Sequence, residues 1–267
     1  MSLDQAYRLR QIVRTTGCHK ASAGVGLPIV VVSGGKGGVG TSTVALNLAA
    51  ALSRLESRVV LVEADLDRGG SLKQPDEGGS IVECVAGYQT VLDALQPGPD
   101  GIWVLPSAWA PEKLTECTAA AQDRLIGELR SLGSHADVLI VDIGSSRNHF
   151  VRRFWRAASM VVMVTTPEVS SVMDTYAAIK VLLAGDTSMP VYTLVNSATD
   201  ESNSMLVHER IRLTCRRFLG LRTSALGDVP TIARTSAVPS LFNPLATSLR
   251  DELGLAAPAR AAFRLAA

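Results

Sequence analysis

The sequence predicts an α/β fold, a mostly parallel β-sheet flanked by helices, and three observations carry that reading. From Pro28 onward, short apolar runs alternate with longer stretches of helical periodicity, the pattern of strands joined by crossover helices. Apolar residues make up 47% of the chain but aromatics only 4%, a dominance of Val, Leu and Ala over rings that suits a buried parallel sheet under small-residue helices. At 267 residues the chain is long enough for one large domain with a sizeable core.

The first element is a short amphipathic helix over 3–14, LDQAYRLRQIVR, with Leu3, Ala6, Leu9, Ile12 and Val13 at helical spacing. TTGCHKASAGVGL follows, rich in small and polar residues as a flexible tether is. The organisation expected is a helix at 1–15, a linker at 16–27 and one folded domain over 28–267. Within that domain, strands are expected at 29–33, 58–65, 101–106, 137–142, 160–166, 191–196 and 223–229. Helices are expected near 42–55, 88–95, 119–132, 170–184, 203–219 and 242–254. RGGSLKQPDEGGS (68–80) reads as a surface loop beyond a strand end, and in open α/β sheets ligands bind outside those ends.

A formal net charge of +1 removes any global electrostatic case for nucleic acid, and the scarcity of aromatic residues argues against base stacking, so no nucleic-acid partner is expected. Cys18, Cys84, Cys117 and Cys215 form no C-x-x-C pair and have no His at metal-ligand spacing, which suggests neither a disulfide framework nor a zinc site. No secretory signal and no apolar run of membrane-spanning length is read. A soluble, cytoplasmic protein is expected.

The chemistry concentrates in SGGKGGVGTST (33–43), directly after an apolar strand and directly before the helix-compatible VALNLAAALSRL. Successive backbone N–H groups and a helix N-terminus together make an anion cradle. Glycines at 35, 37, 38 and 40 let the backbone, with Val39, close around phosphate without a Cβ in the way. In G-x-x-x-x-G-K-[ST] a lysine follows the last glycine; here Thr41 stands there, with Ser42 in the position of the Mg²⁺-binding hydroxyl and Thr43 after it. Loss of one charge-assisted hydrogen bond of about 1.5–3 kcal/mol would weaken phosphate binding roughly tenfold to a hundredfold. The amides and the helix dipole remain, so ATP or ADP with Mg²⁺ is still expected to bind, with reduced affinity.

KGGVG resembles the deviant Walker A motif of the MinD/ParA family of P-loop ATPases. The resemblance implies that Lys36 is the signature lysine reaching the phosphates across an ATP-sandwiched homodimer. Within DVLIVDIGSS a strand ends on Asp142, which matches the Walker B carboxylate that holds Mg²⁺ with Ser42. VVLVEADLD carries Glu63, Asp65 and Asp67. Asp65 matches the residue that positions the attacking water, while Glu63 stands where the family has Asp. Asn196, closing VYTLVN, matches the adenine-contacting asparagine, and GDVP with Pro230 matches the loop that closes over the base.

Two segments are similar to the flagellar FlhG branch, which controls flagellar number and position. TTPEVSSVMDTYAAIKVLL (165–183) resembles its TTPE segment, a helix opened by Ser170 or Ser171. Asp4, Gln5, Ala6, Leu9 and Arg10 match the DQA-x-x-LR helix through which that branch stimulates an FlhF-type signal-recognition-particle GTPase, a docking helix in form. Flagellar basal-body proteins are further implied partners. Family members carry a C-terminal membrane helix, which would place the protein peripherally at the inner face of the membrane; the terminal APARAAFRLAA is short and alanine-rich for that role. Thr41, Glu63 and DIGSS depart from the pattern at the γ-phosphate end. They leave hydrolysis open, with a non-hydrolysing scaffold or a cellulose-synthesis or pilus-assembly relative as alternatives.

Overall fold

The computed structural model describes residues 26–66, 79–107, 118–183, 188–231 and 239–255. Asp4, Gln5, Ala6, Leu9, Arg10 and Asp67, most of the expected 68–80 loop, and the terminal APARAAFRLAA lie outside the described residues. Eight strands form one sheet in the order β3-β4-β2-β5-β1-β6-β7-β8. They are β1 (Ile29–Gly34), β2 (Val59–Glu63), β3 (Gln96–Pro97), β4 (Trp103–Leu105), β5 (Val138–Asp142), β6 (Met160–Thr165), β7 (Val191–Ala198) and β8 (Thr223–Pro230). All neighbours pair parallel except the short edge pair of β3 and β4.

The helices are α1 (Thr41–Arg54), α2 (Ile81–Ala86), α3 (Val91–Ala94), α4 (Ala119–Ser131), α5 (His149–Ala157), α6 (Val169–Leu183), α7 (Glu201–Leu219) and α8 (Asn243–Leu253). Strand residues alternate between two cores, as the period of two requires. Val30, Val32, Leu61, Ile140 and Val162 point to one face, where α1 and α8 cover them with Leu48, Leu52, Leu245 and Leu249. Ile29, Val31, Val60, Leu139 and Val161 point to the other, under Leu125 and Leu129 of α4, Phe154 of α5, Ile179 of α6 and Ile211 of α7. Every residue of β1, β2, β5 and β6 is buried. Double coverage explains why these strands read as unbroken apolar runs.

The structure departs from the sequence expectation mainly between β2 and β4. One helix was expected near 88–95; instead α2 and α3 flank a turn, and Ile81–Ala86 is helical. The reason is local: the Glu83 carboxylate reaches back to accept from the Ser80 N–H at 2.9 Å, half of a capping box. Gly87, at φ +82, then ends the helix in the left-handed conformation that glycine alone adopts at little cost. The α5 helix was missing from the expected helix order, although RRFWR is helical in character. Asn148 caps it, its Oδ1 accepting from Val151 N at 3.0 Å. The β3 strand, two residues long, is too short for any periodicity to show.

At α6 the expected cap moves as well. The helix opens at Val169, with Val172 N donating to the Glu168 carbonyl at 3.1 Å. Ser171 lies inside the first turn, and its hydroxyl accepts from Thr166 N at 3.0 Å, tying the helix to the end of β6.

Cys84 and Cys215 are buried free thiols. Burial pushes the Cys84 thiol up to about 12, with the Glu128, Glu83 and Asp93 carboxylates adding to it, and pushes Cys215 up to about 11. The thiolate is the reactive form, so neither should label in the native protein at pH 8. Because the fold prefers both thiols neutral, their contribution to stability holds below the ordinary thiol pKa near 9 and is lost as pH rises through and above it. Peptide-resolved iodoacetamide labelling should find both sites protected natively and modified in urea. Rapid native labelling of either would contradict this packing.

Candidate functional site

The candidate site lies at the carboxyl ends of β1, β2 and β5, beside the point where the chain order reverses across β1, where open α/β sheets bind ligands. β1 delivers the chain into a glycine loop, and α1 starts at Thr41. Gly35 packs so tightly on α6 that a Cβ there would lie 2.3 Å from Thr175 N and 2.5 Å from the Asp174 carbonyl carbon. Gly38 and Gly40 take φ of +86 and +89. Gly40 is the N-cap of α1 and supplies no side-chain bond, so the first-turn amides of this fourteen-residue helix are not capped by a side chain. That is the electrostatic requirement for an anion.

A cleft of about 180 Å³ opens over this loop, lined by Lys36, Gly37, Gly38, Gly40 and Thr41 through Thr43, with Asp65, Gly144 and Ser145 opposite. Val39 is buried beneath the loop and does not line the cleft. Thr41 is 7% exposed and turns its hydroxyl under the loop: a Cβ on Gly34 would meet Thr41 Oγ1 at 2.5 Å. The residue that replaces the expected lysine therefore lines the cleft with its hydroxyl turned inward, toward Gly34.

Three carboxylates gather at the strand ends. Glu63 and Asp142 sit side by side in register on β2 and β5, at 2% and 3% exposure, with Asp65 at 7%. The Ser107 N–H lies 3.4 Å from Glu63 Oε2, a long contact that holds the longer side chain toward β4. Asp142 accepts from Gly144 N at 3.0 Å and from the Ser42 hydroxyl. Burial nonetheless pushes it up to about 6, against those two hydrogen bonds, with Asp65 and Glu63 adding to the rise. A buried carboxylate paired with a half-buried hydroxyl is the donor set a hard divalent cation suits, since Mg²⁺ takes one or two carboxylates and completes its shell with phosphate and water. Among the described residues no group of three or more His, Cys, Asp or Glu is arranged to hold a metal by itself. Asp65 stands against Gly144, where a Cβ would meet its carboxylate.

Lys36 lines the cleft, but its ammonium is engaged by Glu168 Oε2 at 2.7 Å and Ser170 Oγ at 3.0 Å, and the hydrogen bond it donates holds the Glu168 carboxyl below the usual carboxylate range. Asn196 ends up behind the loop, its amide donating to the Val39 carbonyl at 2.8 Å. Pro230 closes β8, exposed and paired with Ala198. Neither Asn196 nor Pro230 lines the cleft. Sequence reasoning did not single out Arg147, whose Nη2 donates to the Gly35 carbonyl at 2.7 Å; no motif marks it.

A parallel sheet, a glycine loop running into a helix N-terminus without a side-chain cap, and a hydrogen-bonded Asp–Ser pair beside it define a nucleotide-binding domain of the phosphate-loop class. Comparison with known proteins makes the assignment specific. The chain belongs to the CobQ/CobB/MinD/ParA nucleotide binding domain family, whose model matches residues 30–243. It is 29% identical to the antiactivator FleN of Pseudomonas aeruginosa over 204 residues, 76% of this chain and 73% of that protein. It is 30% identical to the flagellum site-determining protein YlxH of Helicobacter pylori over 158 residues, 57% of this chain and 52% of that protein. The fold is shared with the septum site-determining protein MinD of Pyrococcus horikoshii, solved in complex with Mg-ADP, at a TM-score of 0.68 and 19% identity over 85% of this chain and 97% of that one. No described helix is long and apolar enough to cross a membrane.

Proposed function

We propose that this protein is a nucleotide-dependent regulator of flagellar number and position, binding ATP and ADP with Mg²⁺ and pairing with a second copy of itself in the ATP state. The observation that carries the nucleotide reading is the uncapped α1 N-terminus following the glycine loop, with Ser42 of its first turn hydrogen-bonded to Asp142. In this reading the loop amides hold the phosphates, Ser42 and Asp142 hold the cation, Asp65 orients water, and Asn196 and Pro230 lie on the side of the base. Mg²⁺, when bound, supplies charge neutralisation at the phosphate oxygens. Lys36 must leave Glu168 and Ser170 to reach a phosphate across a dimer. The flagellar part of the reading is supported by the similarity to the flagellum site-determining protein YlxH, and the FlhG-like sequence of Asp4, Gln5, Ala6, Leu9 and Arg10 supports docking to an FlhF-type GTPase.

Calorimetric titration of ATP and ADP, with and without Mg²⁺, tests the reading. Binding that requires Mg²⁺ and is lost in Ser42→Ala is the expected result; no heat at millimolar nucleotide in the presence of Mg²⁺ would remove the switch. Thr41→Lys should tighten Mg-ATP by about tenfold, the return of one charge-assisted hydrogen bond. A second reading, a scaffold that binds nucleotide but does not turn it over, is favoured by the inward-packed Thr41. Turnover measured with and without an FlhF-type GTPase separates the two. The same assay with a peptide of residues 1–14 tests the activator helix, which an unchanged GTPase rate would rule out.

A further inference from the structure

The geometry points to Arg147 as a positioning residue that orients the first amide of the phosphate cradle. Arg147 follows β5 in the segment that starts at Asp142, and its backbone is fixed from both sides. Upstream, the Gly144 carbonyl accepts from Gly34 N at 2.8 Å and from the Ser33 hydroxyl at 3.3 Å, while Gly144 N donates to Asp142. Downstream, Asn148 caps α5. From this anchored position the guanidinium donates to the Gly35 carbonyl at 2.7 Å.

That single contact determines where the next N–H points. The C=O of Gly35 and the N–H of Lys36 belong to one planar trans peptide and lie antiparallel. A carbonyl held toward Arg147 therefore turns the Lys36 amide away from it. Gly35 also rests on the α6 backbone with no space for a Cβ, so it is held by both a helix and a cation. Glycine has no side chain to hold its own orientation; the guanidinium supplies the restraint. The same arginine links the loop to the Asp142 segment, so displacement of one is felt by the other. Its charge also stands beside a cradle that has lost the lysine expected at position 41.

This inference deepens the nucleotide-binding reading, on which its consequence for affinity rests; its structural half does not depend on nucleotide. The experiment uses the full chain as wild type, Arg147→Ala, Arg147→Gln and Arg147→Lys. Hydrogen exchange of peptides covering 33–43 is followed without nucleotide, alongside thermal unfolding and Mg-ATP titration. Arg147 is exposed, so melting temperatures should coincide. In Arg147→Ala the loop amides should exchange about fivefold faster, a local opening without global unfolding, and Mg-ATP should bind about tenfold more weakly. Arg147→Lys, which keeps a charged donor, should recover most of both, and Arg147→Gln should fall between. Unchanged loop exchange in Arg147→Ala overturns the proposal, and weaker ATP binding with unchanged exchange would place Arg147 on the nucleotide directly. If the wild type shows no ATP binding, the functional reading fails while the exchange data still decide the clamp.

Discussion

Gly35→Ala is expected to abolish measurable Mg-ATP binding, a loss of about a hundredfold or more, and to lower stability. The added methyl would sit 2.3 Å from Thr175 N, 2.5 Å from the Asp174 carbonyl carbon and 2.6 Å from Thr175 Cα. All three are backbone atoms of α6, so no side-chain rotation relieves the clash. Overpacking typically costs about 1–3 kcal/mol and is relieved by backbone shifts; here the shift separates the phosphate loop from the helix that positions Glu168 and Ser170. Gly38→Ala is the informative control. Nothing lies within 4 Å of its Cβ and only φ +86 is strained, so it should cost about 1 kcal/mol through left-handed backbone alone. Titration and thermal unfolding of the pair check this. If Gly35→Ala binds Mg-ATP within threefold of wild type, the loop does not rest on α6 in solution.

Phe154→Ala should be among the most damaging truncations of the core. Phe154 is 0% exposed and meets Phe150 edge-on at 5.0 Å and 88°. Removing a buried ring costs about 3–5 kcal/mol, a large share of the roughly 5–15 kcal/mol that holds a domain folded. For a domain of this size that is a fall in melting temperature of roughly 6–20 °C. Arg156→Ala, exposed on the same helix, should change stability by about 0.5 kcal/mol or less. Urea unfolding of the two variants gives the comparison. Equal midpoints would mean that α5 does not pack as described.

Much of the fold was legible in the sequence because the central strands are buried on both faces, so Ile29–Gly34, Val138–Asp142 and Met160–Thr165 stand out as apolar runs whatever surrounds them. The glycine loop and α1 were legible for a different reason: their chemistry is local, carried by spacing within 33–43. What escaped is either too short or too distant. Gln96–Pro97 has no period to detect. Ile81–Ala86 was announced by Ser80, Glu83 and Gly87, a capping signal overshadowed by the apolar Val91–Leu95 run beyond the turn. The environment of each site residue depends on partners far along the chain. Lys36 meets Glu168, Asn196 meets Val39, and Arg147 meets Gly35 only once the sheet order has brought β1 between β5 and β6. The inward packing of Thr41 belongs to the same group, since its neighbour Gly34 shows no such contact in one dimension.

The ion pair of Lys36 and Glu168 has a consequence for timing. Its side chains are 32% and 67% exposed, and exposed pairs are worth about 0–1 kcal/mol and weaken as salt rises. Such a tether stores almost no energy, so it cannot hold the lysine back against any partner that offers a better-buried anion. What it does is choose a resting address: the ammonium waits beside the cleft, ordered enough to spare the entropy of searching, loose enough to leave at the rate of a side-chain rotation. In the dimer proposed above, the pace of lysine transfer would then be set by how often two copies of the chain meet face to face.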